Sequence, residues 1–205
     1  KGHEGLSRKR NPFNIQADDY FEDSLIVRDK FAQLINGDPE KVALIPSVSY
    51  GFSMVLKNIT FREGQKAIII EGEFPSGYFS ADRWCKEHGA ELCVVKPEQS
   101  SLPRSKEWNI KVLESIDERT AFVLISSVHW MDGTKFDIKE IGKRCKEVGA
   151  KLLVDGTQGV GATPLDVKEI YIDALFCAGY KWLMGPYSQG LSYINNDLLN
   201  GIPLE

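Results

Sequence analysis

Short runs of aliphatic and β-branched residues alternate with longer, more polar stretches along most of the chain. The short runs are typical of β-strands, and the longer stretches between them are typical of α-helices. Seven strands are predicted, over residues 42–45, 67–71, 91–95, 121–126, 152–155, 174–178 and 191–194. Five helices are predicted, over residues 18–35, 49–58, 76–87, 106–116 and 138–148.

Three of the predicted helices end at a glycine, in the pairs Asn36-Gly37, His88-Gly89 and Val148-Gly149. Glycine takes the left-handed conformation that closes a helix without a steric penalty. We therefore expect a left-handed glycine at each of these ends.

The alternation of strands and helices predicts a three-layer α/β/α sandwich with a mostly parallel seven-stranded sheet. The last two strands are joined only by residues 179–190, which is short for a parallel crossover, so the final strand is expected to run antiparallel. Ligands in such sheets bind outside the carboxyl ends of the strands, and these ends are where we look for chemistry.

Composition and charge are those of an ordinary globular protein, with 42% hydrophobic residues and a net charge of −4. This balance gives no reason to expect nucleic acid or an anionic membrane as a partner. No apolar run is long enough to span a membrane, and the basic cluster of residues 8–10 is expected to be a solvated tail. The chain lacks an initiator methionine and ends abruptly, so we expect a fragment of a longer protein.

The cysteines form no C-x-x-C pair and have no histidine nearby at metal-binding spacing. We expect Cys85, Cys93, Cys145 and Cys177 to be reduced thiols in a cytoplasmic protein, and we expect no metal site.

The first strand is followed by small and hydroxylic residues that lead into a helix, Pro46 to Gly51. Ser49 is a candidate N-cap, and the free N–H groups of a helix start can bind an anion. On this stretch alone, a capping serine without a ligand is the favoured interpretation.

The fourth strand is followed by Ser126 to Thr134, which brings His129 and Trp130 to the place where a planar ligand could lie. A structural histidine beside a turn is the alternative interpretation.

The fifth strand ends at Asp155, and a carboxylate that closes an apolar strand is costly unless something pairs with it. It could instead cap the following turn. The glycines after it stand in the order G-x-x-G-x-G, which is not the dinucleotide fingerprint G-x-G-x-x-G. An unrelated nucleotide-binding α/β domain is therefore disfavoured.

The sixth strand is followed by Lys181, which has aromatic and aliphatic neighbours. Lysine is rarely buried without a partner, and a buried amine is available as a nucleophile toward a carbonyl. A surface lysine whose stem lies along apolar neighbours is the alternative.

The segments 154–158 (Val-Asp-Gly-Thr-Gln) and 178–186 (Ala-Gly-Tyr-Lys-Trp-Leu-Met-Gly-Pro) together resemble the class V aminotransferase family of fold-type I pyridoxal 5′-phosphate (PLP) enzymes. The family includes cysteine desulfurases, selenocysteine lyases, kynureninases and isopenicillin N epimerase-like proteins, and the resemblance extends from Leu44 to about Ile194. It implies that Lys181 forms the Schiff base with PLP and moves the Cα proton, that Asp155 faces the pyridine nitrogen, and that Gln158 bonds the phenolic oxygen.

The resemblance also implies that Ser49 and the Tyr50 backbone N–H hold the phosphate, and that Ser127 to His129 lie against the ring. Three positions depart from the family. Ala178 lacks the hydroxyl that many members carry there, and Tyr180 replaces the histidine that desulfurases have before the lysine. Ser127 stands where desulfurases have a stacking histidine, and His129 falls two residues later.

The resemblance further implies an enzyme that acts on a small-molecule amino acid, by transamination or by Cβ–S or Cβ–Se elimination. A kynureninase-like hydrolase, an isopenicillin N epimerase-like enzyme and a non-catalytic relative remain alternatives. We expect an N-terminal segment over residues 1–40, a PLP-binding large domain over residues 41–205, and a homodimer. The family's C-terminal small domain is expected to be absent from these 205 residues.

Overall fold

The computed structural model describes residues 2–98, 100–199 and 202, in which seven strands form one mixed sheet. The strands are β1 Val42–Ile45, β2 Lys66–Ile70, β3 Glu91–Val95, β4 Thr120–Ser126, β5 Lys151–Asp155, β6 Ala174–Ala178 and β7 Gly190–Ile194. Each one lies within one residue of a predicted strand, which confirms the predicted sheet. Residue 1 of the predicted N-terminal segment and residues 99, 200, 201 and 203–205 of the predicted large domain lie outside the described residues.

All five predicted helices are present in the described residues, together with two that the pattern did not indicate. The α-helices are α1 Gly2–Arg10, α2 Asp19–Leu34, α3 Val48–Leu56, α4 Pro75–His88, α5 Arg104–Ser115, α6 Ile138–Val148 and α7 Asn196–Leu199, with 3-10 turns at Pro12–Asn14 and Pro39–Lys41. Helix α1 contains the basic cluster that we expected to be a tail, so this segment is helical, although Lys9 and Arg10 are exposed as predicted.

The strand order is β1-β7-β6-β5-β4-β2-β3, and β7 runs antiparallel to both of its neighbours. The predicted reversal of the final strand is confirmed. Strand β1 consequently points the same way as β6, which is parallel to β5. The carboxyl ends of β1, β2, β4, β5 and β6 therefore meet at one edge of the sheet.

Helices cover both faces of the sheet, which confirms the predicted sandwich. On one face Phe31 of α2, Trp108 of α5 and Ile141 of α6 pack against the strands. On the other face Phe52 of α3 and Trp84 of α4 do so. The central strands β4, β5 and β6 are buried along almost their whole length, so the edge of the sheet is where polar side chains can stand without breaking the core.

Two of the three predicted glycine caps are confirmed, because Gly89 and Gly149 have φ values of 69° and 75°. At the end of α2 the prediction was wrong. Asn36 takes the left-handed conformation there, with φ of 51°, and the N–H of Gly37 then bonds the Ala32 carbonyl oxygen at 2.7 Å. Asparagine tolerates this conformation better than most side chains.

Among the described residues, none of the helices combines the length and apolar character that crossing a membrane requires.

Glycine at position 51 is predicted to be required for α3 to lie against β6. A Cβ added at Gly51 would stand 2.3 Å from Cδ1 of Phe176. We expect Gly51→Ala to lower the free energy of unfolding by about 1–3 kcal/mol through overpacking, as measured by urea denaturation. Gly5→Ala is the control, since a Cβ on that helical glycine meets nothing within 4 Å. A destabilisation no larger than that of the control would contradict this account of the packing.

Candidate active site

A pocket opens at the carboxyl edge of the sheet and gathers residues that follow five different strands. Asp155, Gln158 and Lys181, which the sequence analysis singled out, line it together with Ser49. Its other lining residues are Val48, Phe74, Ser76, Ser126, Trp130, Thr157, Ala178 and Tyr180.

Asp155 closes β5 and is 4% exposed. The backbone N–H of Thr157 donates to its Oδ1 at 2.9 Å, so Asp155 both caps the next turn and faces the pocket. Burial raises the pKa of this carboxyl above its usual range, against the hydrogen bonds from Thr157 that lower it. A cation bound in the pocket would therefore be stabilised by Asp155 and would relieve the cost of burying its charge.

Glu73 is a second buried carboxyl group beside the pocket, and the sequence analysis did not identify it. It lies in the turn between β2 and α4 and accepts hydrogen bonds from the N–H of Phe74 at 2.8 Å and the N–H of Ser126 at 2.9 Å. The hydroxyl of Ser126 also donates to it. Burial, with a smaller contribution from the charge of Asp155, raises its pKa from 4.5 to about 7.

Lys181 lies in the loop that joins β6 to β7. The structure leaves it exposed, so the burial suggested by its apolar neighbours is not found. Its Nζ is 5.7 Å from the centre of the Tyr180 ring, which stacks on Tyr187 at 4.4 Å. Backbone hydrogen bonds from Gly179 to Gln189 and from Gly185 to Gly179, both 2.8 Å, close the loop. These bonds place the backbone of the loop so that Lys181 lines the pocket.

The start of α3 differs from the sequence-based prediction. Ser47, not Ser49, is the N-cap, and its Oγ accepts from the backbone N–H of Tyr50 at 3.2 Å. That N–H is therefore already bonded, and Tyr50 lies outside the pocket lining. The side chain of Ser49 is left to face the pocket, next to a helix start whose first N–H groups have no partner within the helix.

Two aromatic residues, Phe74 and Trp130, form one side of the pocket, and we call them the aromatic wall. Their ring centres are 5.4 Å apart and the rings are nearly perpendicular. Phe74 follows the end of β2, which the sequence analysis did not search. The signal was available in the sequence, because Gly72 and Pro75 mark a turn into a helix at that strand end.

Ser127 and His129, which were predicted to lie against a cofactor ring, are buried and do not line this pocket. The hydroxyl of Ser127 is 3.3 Å from the Asp155 carbonyl oxygen. His129 faces the carboxylate of Asp132 and the backbone of residues 71 and 72.

The hydroxyl groups of Thr157 and Ser76 line the pocket together with Ala178, whose side chain has none. The Thr157 Oγ1 accepts from the backbone N–H of Ala178 at 3.1 Å. The Ser76 Oγ is buried and has no hydrogen-bond partner within the described residues. Because an unpaired buried hydroxyl is costly, Ser76 is suited to bond a polar group of a ligand. The arrangement thus offers an amine, a buried carboxylate, hydroxyls and a flat aromatic side to one ligand.

Comparison with known proteins matches the chain to one protein family and to curated proteins named as desulfurases or aminotransferases. The family model described as Aminotransferase class-V matches residues 7–205. A probable cysteine desulfurase of Methanothermobacter thermautotrophicus is 28% identical over 171 residues, which cover 83% of this chain and 42% of that protein. The uncharacterized aminotransferase YcbU of Bacillus subtilis is 28% identical over 181 residues, which cover 88% of this chain and 47% of that protein.

Among solved structures, the cystine C–S lyase C-DES in complex with cysteine persulfide matches with a TM-score of 0.81 at 24% identity. The match covers 98% of this chain and 54% of that one, and it supports the fold. The chain spans less than half the length of the curated relatives it matches.

The raised pKa of Glu73 predicts that the cofactor-free protein loses stability as the pH rises. In the unfolded chain this group ionises near 4.5 and in the folded chain near 7, so the loss develops between these values and is complete above them. At about 1.4 kcal/mol per pKa unit it amounts to roughly 3 kcal/mol. Asp155, whose pKa is also raised, adds a loss of the same sign.

Glu73→Gln is expected to flatten this dependence, as measured by urea denaturation between pH 4.5 and 8. The readout is the slope with pH and not the absolute free energy of unfolding. Glutamine replaces one of the two acceptor oxygens of Glu73 with an NH2 group, which changes the stability at every pH. Glu118→Gln, at an exposed position, is the control and should keep the slope of the parent protein. An unchanged slope in Glu73→Gln would show that this carboxyl does not titrate as described.

Proposed function

Since the chain belongs to the class V aminotransferase family, we propose that it binds PLP through Lys181 and acts on an amino-acid substrate. The observation that carries this proposal is the convergence of Lys181, Asp155 and Gln158 on one pocket, although they come from two different strand ends.

The residues present suit PLP in three respects. Asp155 is a buried carboxyl group without a cationic partner among its described contacts, as a protonated pyridine nitrogen would require. Ser49 and the unpaired Ser76 offer hydroxyls beside a helix start, which suits a phosphate. The aromatic wall offers a flat surface to a planar ring.

Each residue would then have a distinct role. Lys181 would hold the cofactor covalently through Nζ and later carry a proton to or from the substrate Cα. Asp155 would keep the proton on the pyridine nitrogen, and Gln158 would bond the phenolic oxygen. When bound, PLP supplies an electron sink for the charge that develops at Cα.

We infer cleavage of a Cβ–S or Cβ–Se bond as the reaction, with transamination as the second candidate. The matches to a probable cysteine desulfurase and to a cystine C–S lyase support bond cleavage at Cβ. The match to YcbU, which is named an aminotransferase, supports transamination. None of the four cysteines lines the pocket, and burial raises the pKa of Cys145 and Cys177 to about 12. A reaction that uses none of these thiols as sulfur acceptor therefore suits the site best.

We further propose that residues 41–205 act as the PLP-binding domain, that two copies associate, and that the enzyme works in the cytoplasm. Exposed apolar side chains around the Lys181 loop favour association, with Met184 at 91% and Tyr187 at 77% exposure. The four unpaired cysteines favour a reducing compartment.

Replacement of Lys181 tests the central claim. We expect the full-length protein with PLP to show a visible absorbance band and, after borohydride, a reduced adduct on the peptide that contains Lys181. Lys181→Ala should lose both, while Lys143→Ala, at an exposed position of α6, should keep both. Absence of the adduct in the parent protein would leave a non-catalytic relative of the fold.

Asp155→Asn is expected to keep the Lys181 adduct but to slow turnover. The lost charge-assisted hydrogen bond is worth about 1.5–3 kcal/mol, which corresponds to roughly 10- to 150-fold in rate. The measurement is single-turnover kinetics with amino acids that yield sulfide, alanine or keto-acid products. A variant that turns over at the parent rate would exclude Asp155 as the partner of the ring nitrogen.

A further inference from the structure

His129 is almost fully buried, at 4% exposure, and both nitrogens of its ring face oxygen acceptors. Nδ1 is 3.0 Å from Oδ1 of Asp132, and Nε2 is 3.2 Å from the carbonyl oxygens of both Glu71 and Gly72. Carbonyl oxygens can only accept, and an ionised carboxylate can only accept. His129 therefore lies between two sets of acceptors, one in the segment that carries Trp130 and one in the turn before Phe74.

Asp132 is itself held as an anion. The N–H of Thr134 donates to it at 2.9 Å, and Nε of Arg104 lies 3.2 Å from its Oδ2. Partial burial acts to raise the pKa of Asp132, but the hydrogen bonds from Thr134 and His129 outweigh it and lower the pKa. Arg104 also lies over the ring of Trp108, 4.9 Å from its centre, and that ring packs on His129.

The backbone of Gly72 is the point where the two halves of the aromatic wall are tied together. Its carbonyl oxygen lies 3.2 Å from Nε2 of His129 and accepts from Nε1 of Trp130 at 2.8 Å. A side chain is disfavoured here, since a Cβ on Gly72 would lie 3.1 Å from Nε2 of His129 and the φ value is +68°. Phe74 follows two residues later.

These contacts join the two segments that carry the wall. Residues 71–74 carry Phe74, and residues 129–132 carry Trp130. The tie has a direct part, from Nε2 to the two carbonyl oxygens, and a supporting part, from Nδ1 to Asp132. His129 does not reach the pocket, so any effect it has on a bound ring must act through the wall.

We propose that His129 is a positioning residue, which through its Nε2 contacts with the carbonyl oxygens of Glu71 and Gly72 locks the aromatic wall of Phe74 and Trp130 in the orientation that receives the cofactor ring. The inference rests on the proposed function for the identity of that ring, whereas the lock itself is a property of the cofactor-free protein.

Three substitutions separate the parts of the tie. His129→Gln places an amide N–H near the position of Nε2 and retains the donor to the carbonyl oxygens. His129→Asn places one near the position of Nδ1 and retains only the donor to Asp132, and His129→Ala retains neither. His88→Asn is the matched control, because His88 contacts the Trp84 carbonyl oxygen from the far end of α4.

Two readouts report the wall separately from fold stability. The first, in the cofactor-free protein, is acrylamide quenching of Trp130 fluorescence, obtained by subtracting the signal of a matched protein with Trp130→Phe. The second is the induced circular dichroism of bound PLP, which depends on the orientation of the ring. Thermal midpoints are recorded for every variant to exclude unfolding.

We expect His129→Gln and His88→Asn to keep the parent protein's Trp130 quenching and PLP circular dichroism. His129→Asn and His129→Ala should differ from the parent in both readouts. In those two, loss of the contact from Nε2 to the carbonyl oxygens should increase quenching of Trp130 and weaken PLP binding by roughly tenfold. If folded His129→Ala keeps both signals, or if His129→Gln is no better than His129→Ala, the proposal is overturned.

The design also separates this proposal from the proposed function. Should the parent protein form no adduct on Lys181, the PLP assignment fails, and the quenching series in the cofactor-free protein alone decides whether His129 locks the wall.

Discussion

The site depends on a carboxyl group, Asp155, that the fold buries at the end of a central strand. Strands β4 and β6 flank it and are buried along their length, so the charge cannot reach bulk water from the sheet. A second carboxyl group, Glu73, is buried nearby and raises the free-energy cost of keeping Asp155 ionised, because two like charges in a poorly polarisable region repel. The fold can meet this cost by protonation or by a bound cation. Under the proposed function the protonated ring nitrogen of PLP would provide the cation, which would link the stability of the cofactor-free protein to its affinity for the cofactor.

The parallel arrangement of the strands explains how side chains distant in sequence come to share one pocket. Ser49 follows β1, Phe74 follows β2, Trp130 follows β4, and Lys181 follows β6, and each strand delivers its following loop to the same edge. Because β7 runs antiparallel between β1 and β6, these two strands point the same way. The start of α3, which follows β1, therefore lies at the same edge as the Lys181 loop, which follows β6. A parallel β7 would need a long crossover between β6 and β7, and the loop that holds the lysine could not be as short as it is.

The sequence was sufficient to predict the sheet, because its strands are short apolar runs bounded by glycine and polar residues, and the brevity of residues 179–190 predicted the reversal of β7. Helix α1 escaped prediction because Leu6 is its only aliphatic residue, so it has no apolar face to detect. Asp155 and Lys181 could be found from their places after strands, and Gln158 from the resemblance to the family. The contacts of His129 could not, since its partners at Glu71 and Gly72 lie 58 and 57 residues earlier and are backbone oxygens, which leave no trace in side-chain pattern.

The aromatic wall shows how a partly exposed group can still be held firmly. Phe74 and Trp130 are 37% and 43% exposed, so packing alone fixes neither. The turn between β2 and α4 is tied to the β4 side by Glu73, which accepts from Phe74 and Ser126, and again by His129 and Trp130 at Gly72. The two residues that meet the turn from the β4 side, Ser126 and His129, stand three residues apart along the chain. Since hydrogen bonds are directional where apolar contacts are not, the wall can keep a defined angle while its faces stay open to a ligand.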